Sequence, residues 1–329
     1  MLSYLMLVML SLVLCVSAGC DFGSNAPSKK PLVLYSTIEP KFTEELLTAY
    51  NTKNKKTKNF QPVKAIYELT EKDKPDLVLA PTLLLANLKR EGKLMPSSCN
   101  AANLLPFDYK DVEGYWTAVF YDPLVFVINQ EFARRVGQQN LTSWNDIESL
   151  TDARFTMENL NNSPGTMNLL AAMAGHMGEQ SAITYMWNAN RNVTQYTKFP
   201  FSSIRLVATG EADMTVTVQS MVSKYLESEF PAYVITPKEG SPATLYGIAV
   251  FKDSESTFGN QSFLNYMLAD DEVKSISQRL DTGYQYLVQE NKFNPLADPR
   301  KVWVNRDYLT LEKLEALTNQ WVEKVRFAR

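Results

Sequence analysis

Five turns in this sequence carry polar side chains, mostly hydroxyls, where a short apolar run gives way to a helical pattern: Ser36-Thr37, Thr82, Ser163-Pro164-Gly165-Thr166, Ser202-Ser203 and Gln219-Ser220. The chemistry open to such turns is anion recognition. The first turn of a helix has N–H groups without partners and the positive end of the helix dipole, so hydroxyls beside it complete a cradle for an oxyanion. Gly165 adds a position where a ligand can approach the backbone without meeting a Cβ. The same hydroxyls are also ordinary N-caps, each stabilising its helix by ~1 kcal/mol, and the sequence leaves both roles open. Tyr121-Asp122 and Tyr246 belong with them, because they fall at the two places where the chain is expected to cross between lobes and a ligand would be enclosed. Asp122 can face either an amine on a ligand or neighbouring backbone N–H groups.

Hardware for covalent chemistry is sparse. His176 is the single histidine, and Cys15, Cys20 and Cys99 form no CxxC pair. No GxSxG, HExxH, P-loop or Cys-His pair is present, so neither an enzyme nor a cofactor nor a bound metal is expected. Lys and Arg number 33 against 36 Asp and Glu. That balance lacks the basic excess by which nucleic-acid binders displace counterions. Apolar residues make up 45% and charged residues 21% of the 329, which excludes general disorder and leaves room for two domains of ordinary size.

The elements that must position these turns alternate along the chain. Leu32 to Tyr35 reads as a buried strand, and Phe42, Leu46, Leu47 and Tyr50 follow at helical spacing. Val63–Leu69 and Asp76–Ala80 read as strands, with a helix from Pro81-Thr82 to a stop at Gly92. Trp116 to Asn129 is long for one strand and contains Pro123, so it is expected as two strand pieces joined at a bend. The alternation continues with a helix from Gly165 to Met177, further elements through residue 236, and a strand from Tyr246 to Lys252. An apolar stripe of Leu311, Leu314, Leu317, Trp321 and Val325 closes the chain. Trp116 and Trp144 are expected to pack. The pattern predicts an α/β protein of two open lobes, 32–118 and 119–242, crossed near Ala118–Pro123 and Gly240–Tyr246. Residues 243–329 would return to the first lobe, with C-terminal helices packing across both.

The first twenty residues carry no charged side chain and run apolar from Leu5 to Val16. That run is short for a ~30 Å hydrocarbon core and reads as a signal peptide over 1–19. Ser17-Ala18-Gly19-Cys20 is similar to the lipobox of bacterial lipoproteins, with Ser17 where Leu is usual and no Lys or Arg ahead of the apolar run. The similarity makes Cys20 the lipidation site and residues 20–31 a polar tether. Asp21 resembles the signal that keeps a lipoprotein on the inner membrane.

From about Leu32 to about Pro295 the chain resembles a type II periplasmic solute-binding protein of an ABC importer. It falls in the branch that includes ferric-, thiamine-, phosphonate- and sugar-phosphate-binding proteins. The segments that carry the likeness are LVLYST, PDLVLAPTLLLANLKREGKLMP, YWTAVFYDPLVFVIN, LTSWNDIESL, NSPGTMNLLAAMAGHMGE, VATGEADMTVTVQSMVSKY and EGSPATLYGIAVFKDSES, in order and spacing. The resemblance implies a monomer lipid-anchored on the outer face of the cytoplasmic membrane. Its partners would be a small-molecule ligand, an ABC permease and its ATPase subunit. It also places the Ser36-Thr37 and Gly165-Thr166 turns at the ligand cleft. Iron-binding relatives commonly carry adjacent tyrosines where this chain has Ser220-Met221, and residues near Ser36-Thr37 and Pro81-Thr82 are poor Fe(III) ligands. An oxyanion-bearing ligand is therefore expected, with ferric iron, thiamine or a polyamine as alternatives. A ligand-sensing receptor lipoprotein is the alternative of another class, with an enzyme on the same scaffold behind it.

Overall fold

The computed structural model describes residues 30–97, 99–137, 141–226, 229–289, 292–294 and 297–328. Cys20, the signal segment and nearly all of the tether lie outside them. The described chain opens with β1 (Leu32–Ser36), α1 (Pro40–Asn54), β2 (Val63–Ile66), β3 (Leu77–Pro81), α2 (Thr82–Arg90) and β4 (Leu94–Met95). β5 (Trp116–Asn129) leads into α3 (Gln130–Val136), α4 (Trp144–Ser149), β6 (Phe155–Glu158), α5 (Pro164–Met177), α6 (Glu179–Asn190) and β7 (Val193–Thr197). Then come α7 (Pro200–Ala208), β8 (Met214–Val218), α8 (Gln219–Tyr225), β9 (Ala232–Ile235) and β10 (Ser241–Phe251). α9 (Thr257–Ala269), α10 (Asp271–Arg279), β11 (Gln285–Tyr286), β12 (Val288–Gln289), β13 (Lys292–Phe293), β14 (Val302–Trp303) and α11 (Leu311–Trp321) complete the order.

The main sheet runs β2-β1-β3-β10-β5-β8-β6-β7. Its outer strands pair in parallel on both sides, β1 with β2 and β3, β6 with β7 and β8. The centre is antiparallel: β10 pairs with β3 and β5, and β5 with β8. This is a mixed α/β fold with two parallel wings. β5 corrects the expectation of two strand pieces, because it is one continuous strand. Its first half pairs with β10, up to Pro123 opposite Ala243, and its second half with β8, from Leu124 opposite Val218. Pro123 falls where the strand changes neighbours, which is where a missing N–H costs a central ladder least. β10 likewise starts at Ser241, ahead of the expected Tyr246.

Each wing has its own core. α1 starts at Pro40 and buries Phe42, Leu46, Leu47 and Tyr50 on one stripe. Phe42 lies 5.4 Å from Phe120, and Tyr50 meets Phe263 edge-on at 5.0 Å. Full burial of such side chains contributes ~1.5–3 kcal/mol each. Cys99 is buried in this core with its thiol held above the usual range, by burial first of all, so it is packed and not a poised nucleophile. In the second wing Trp144 stands edge-on to Phe126 at 4.9 Å and to Tyr185 at 5.8 Å, and its Nε1–H donates to Gly240 O at 2.9 Å. Leu314, Leu317, Trp321 and Val325 from the C-terminal segment join that second core. No helix among the described residues is long and apolar enough to cross a membrane.

Candidate functional site

At the centre of the sheet a cavity of about 430 Å³ opens between the wings. Its floor comes from the two long strands, through Asp122 and Leu124 of β5 and Thr244 and Tyr246 of β10. One wing contributes Thr37 and the start of α2, Pro81 to Leu84. The other contributes Met157 and Glu158 at the end of β6, the α5 turn from Ser163 to Thr166, Pro200, and the junction of β8 with α8. These are carboxyl ends of strands and beginnings of helices, the place where open α/β sheets present ligands.

Of the residues singled out in the sequence, Thr37, Thr82, Asp122, Ser163, Gly165, Thr166, Ser220 and Tyr246 share this wall. Ser36, Tyr121, Ser202, Ser203 and Gln219 are not part of it. Ser36 is buried, with its Oγ 2.9 Å from Thr43 Oγ1 and accepting from Ile38 N–H at 3.3 Å. Tyr121 belongs to the first core, where burial raises its phenol to about 12. Ser203 donates to Pro200 O at 2.8 Å within the first turn of α7, and Ser202 lies beside it. Gln219 begins α8 with Gly283 pressed against its carbonyl carbon. A Cβ at Gly283 (φ +76°) would stand 2.6 Å from that carbon and from Ser220 N and Cα, so only glycine fits this approach.

Several wall residues are already hydrogen-bonded. Ser163 and Thr166 form a capping box: Thr166 N–H donates to Ser163 Oγ at 3.3 Å and Ser163 N–H to Thr166 Oγ1 at 3.1 Å. The Thr166 hydroxyl also donates toward Leu160 O at 3.0 Å and Ser163 O at 2.9 Å, which uses its one proton. Asp122 takes both donors of Ser220, N–H at 3.0 Å on Oδ1 and Oγ–H at 2.6 Å on Oδ2. Burial still lifts its carboxyl to about 7, against the pull of those two bonds. Tyr246 meets Tyr284 edge-on at 5.2 Å, and burial pushes its phenol well above the usual range.

Three wall residues behave differently, Thr82, which the sequence singled out, and Thr217 and Thr244, which it did not. Thr217 on β8 and Thr244 on β10 are 6% and 9% exposed, Thr82 is 8% exposed, and none of the three hydroxyls has a hydrogen bond within the chain. Glu158, also unflagged, closes β6 half-buried on the wall, and burial raises its carboxyl to about 7 despite a hydrogen bond from Asn162. The wall holds no Lys, Arg or His among the described residues. A second, more open groove of about 750 Å³ runs between α4 and α6 of the second wing, past the end of α5, with His176 stacked on Trp303 at 4.1 Å. Burial lowers the His176 pKa, as expected for a packed ring.

Residues 72–310 match the family described as bacterial extracellular solute-binding protein. An uncharacterized protein of Haemophilus influenzae is 26% identical over 226 residues, 65% of this chain. The match spans 64% of that relative's length. Among solved structures, the periplasmic binding protein AfuA of Actinobacillus pleuropneumoniae with fructose-6-phosphate bound is similar with a TM-score of 0.67 at 17% identity, over 92% of this chain and 100% of that one. Ferric iron-binding protein A of Mannheimia haemolytica in an open conformation gives 0.73 at 13% identity, over 91% and 99%. Iron-bound HitA of Pseudomonas aeruginosa gives 0.69 at 16%, over 88% and 99%. At these identities the likeness to the solved structures is one of fold.

Proposed function

The chain belongs to the bacterial extracellular solute-binding protein family, and on that premise we propose that it is the substrate-binding subunit of an ABC importer. It takes up one small solute outside the cytoplasmic membrane and hands it to a permease and its ATPase. The observation that carries this reading is the cavity of about 430 Å³ between the wings, walled by both and floored by the strands they share. That volume lies within the ~300–1,000 Å³ usual for small-molecule sites. The lipid anchor at Cys20 belongs to the same proposal and is supported by the small residues before it and the polar tether after it. Cys20→Ser would move the protein from the membrane to the soluble fraction. Loss of uptake of the bound solute on deletion of the permease separates an importer subunit from a sensor.

The finer reading is a solute with an oxyanion, such as a phosphonate or phosphate ester. The start of α2 supports it, because Pro81 supplies no capping side chain and the Thr82 hydroxyl is unpaired on the wall. The sugar phosphate held by AfuA shows that this fold can take such a group. Ferric iron has less support here. No group of three His, Cys, Asp or Glu among the described residues could hold a metal ion, and Tyr225, 39% exposed, packs toward Phe201 and not on the wall. The test is a thermal-shift screen over phosphate, phosphonates, sugar phosphates, sulfate, molybdate, thiamine, polyamines and Fe(III), followed by small-angle scattering. A solute at ~1,000 times its Kd stabilises the fold by about 4 kcal/mol and compacts it. A tightest ligand without an anionic group removes the oxyanion; stabilisation without compaction removes capture between the wings.

A further inference from the structure

Resting on the reading of this cavity as the solute site, we propose that the solute carries a positively charged group held by Glu158 and an apolar body seated against Leu124, Met157 and Leu160. The charge inventory comes first. Asp122 and Glu158 are the two carboxyls on the wall, and no Lys, Arg or His shares it among the described residues. They are not equivalent. Asp122 is 2% exposed, and each of its oxygens already accepts a donor of Ser220. Glu158 ends its strand half-buried and facing the cavity, with its charge disfavoured by poor hydration. A cationic group brought by the solute relieves that penalty, and a purely anionic solute deepens it.

The hydroxyls supply an independent pointer to a ligand. Thr82, Thr217 and Thr244 are each more than nine-tenths buried, lie on the wall, and have no hydrogen bond within the chain. Their oxygens open onto the cavity and are not among the sealed, unpartnered side-chain atoms of the described residues, so they are within reach of polar atoms of a solute or its waters. Much of the remaining surface is apolar. Leu124, Met157, Leu160, Leu169 and Val216 line the cavity and also a smaller pocket of about 40 Å³ behind it. A hydrated inorganic ion gains nothing from such a surface, whereas an organic body loses its contact with water there. Together with an oxyanion at the start of α2, this describes a zwitterion with an apolar spacer.

Three probes separate the parts: tyramine phosphate with both charges, 4-ethylphenyl phosphate with the anion alone, and tyramine with the cation alone. Calorimetric titration of the purified protein is expected to show tyramine phosphate binding at least about tenfold more tightly than 4-ethylphenyl phosphate, the usual effect of one hydrogen bond to a charged group. Glu158→Gln should abolish that preference while leaving 4-ethylphenyl phosphate no weaker. Equal binding of the two phosphates by the wild-type protein, or a preference that survives Glu158→Gln, overturns the inference, and so does the failure of all three to bind. Tyramine binding with no contribution from phosphate upholds the cation and overturns the oxyanion instead. The wild-type comparison does not depend on how the variant folds.

Discussion

The turn that begins α5 and the strand face of β8 and β10 bring hydroxyls to the same cavity and use them in opposite ways. At the turn, Ser163 and Thr166 satisfy each other and the carbonyls around them. On the strands, Thr217 and Thr244 are as deeply buried and have no partner within the chain. A hydroxyl at a helix start has backbone donors and acceptors within reach and spends itself locally. Strand hydroxyls elsewhere in the second wing also spend themselves locally, Thr156 donating to Gln195 O and Thr194 to Phe155 O, but Thr217 and Thr244 face the cavity and do not. At the α5 turn the hydroxyls that look most like ligand groups hold the fold together, whereas Thr217 and Thr244 on the strands, like Thr82 at the start of α2, are left open on the wall.

The largest effect should come from the most self-contained part of the wall. Asp122→Ala leaves the buried N–H and hydroxyl of Ser220 without acceptors and should cost about 3 kcal/mol in urea unfolding; an unchanged midpoint would place Asp122 on the side of the open groups. Its pH behaviour sharpens the point. The native carboxyl titrates at about 7 against an ordinary 3.8, so the folded chain holds a proton that the unfolded chain loses across that interval. Stability from this group is complete below the ordinary value and declines as pH rises toward about 7. Asp122→Asn should flatten that decline in thermal melts taken along a pH series. Thr217→Val and Thr244→Val should each weaken the best solute of the screen by about tenfold in calorimetry while shifting stability by less than ~0.5 kcal/mol. Ser163→Ala should do the reverse, losing ~1 kcal/mol of stability with its cap and leaving affinity where it was. A tenfold loss of affinity in Ser163→Ala would dissolve the contrast between the two regions.

The alternation of strands and helices was legible because local spacing records it. Phe42, Leu46, Leu47 and Tyr50 mark the buried stripe of α1, and β3 gives way to α2 at Pro81-Thr82 as the sequence indicates. β5 was misread because proline usually breaks a central strand, and only the change of partner from Ala243 to Val218 shows why this one does not. Part of the wall was legible for the same local reason, since turns are written in Ser, Thr, Gly and Pro. Thr217 and Thr244 were not, because threonine in a strand is ordinary β-propensity. They lie on the wall through pairings between distant segments, Leu124 with Val218 and Thr244 with Asp122. Glu158 looks like any acid at the end of a strand until α5, α7 and β8 surround it.

The two shared strands carry a mechanical consequence. β5 and β10 pair from Pro123 opposite Ala243 to Trp116 opposite Ala249, and β5 then continues into the second wing without a break. A rotation of one wing against the other would therefore twist this paired ribbon, flanked by β11 at Phe120 and Tyr121 and by β3 from Tyr246 on, and not swing about a single residue. The ribbon is softest where covalent structure thins its ladder: Pro123 and Pro242 bring no N–H, and the register slips between Tyr246 and Gly247. Asp122 and Thr244 sit opposite each other within that soft stretch. The stretch with the thinnest ladder is thus also the floor of the cavity, so a twist there would be felt first by Asp122 and Thr244.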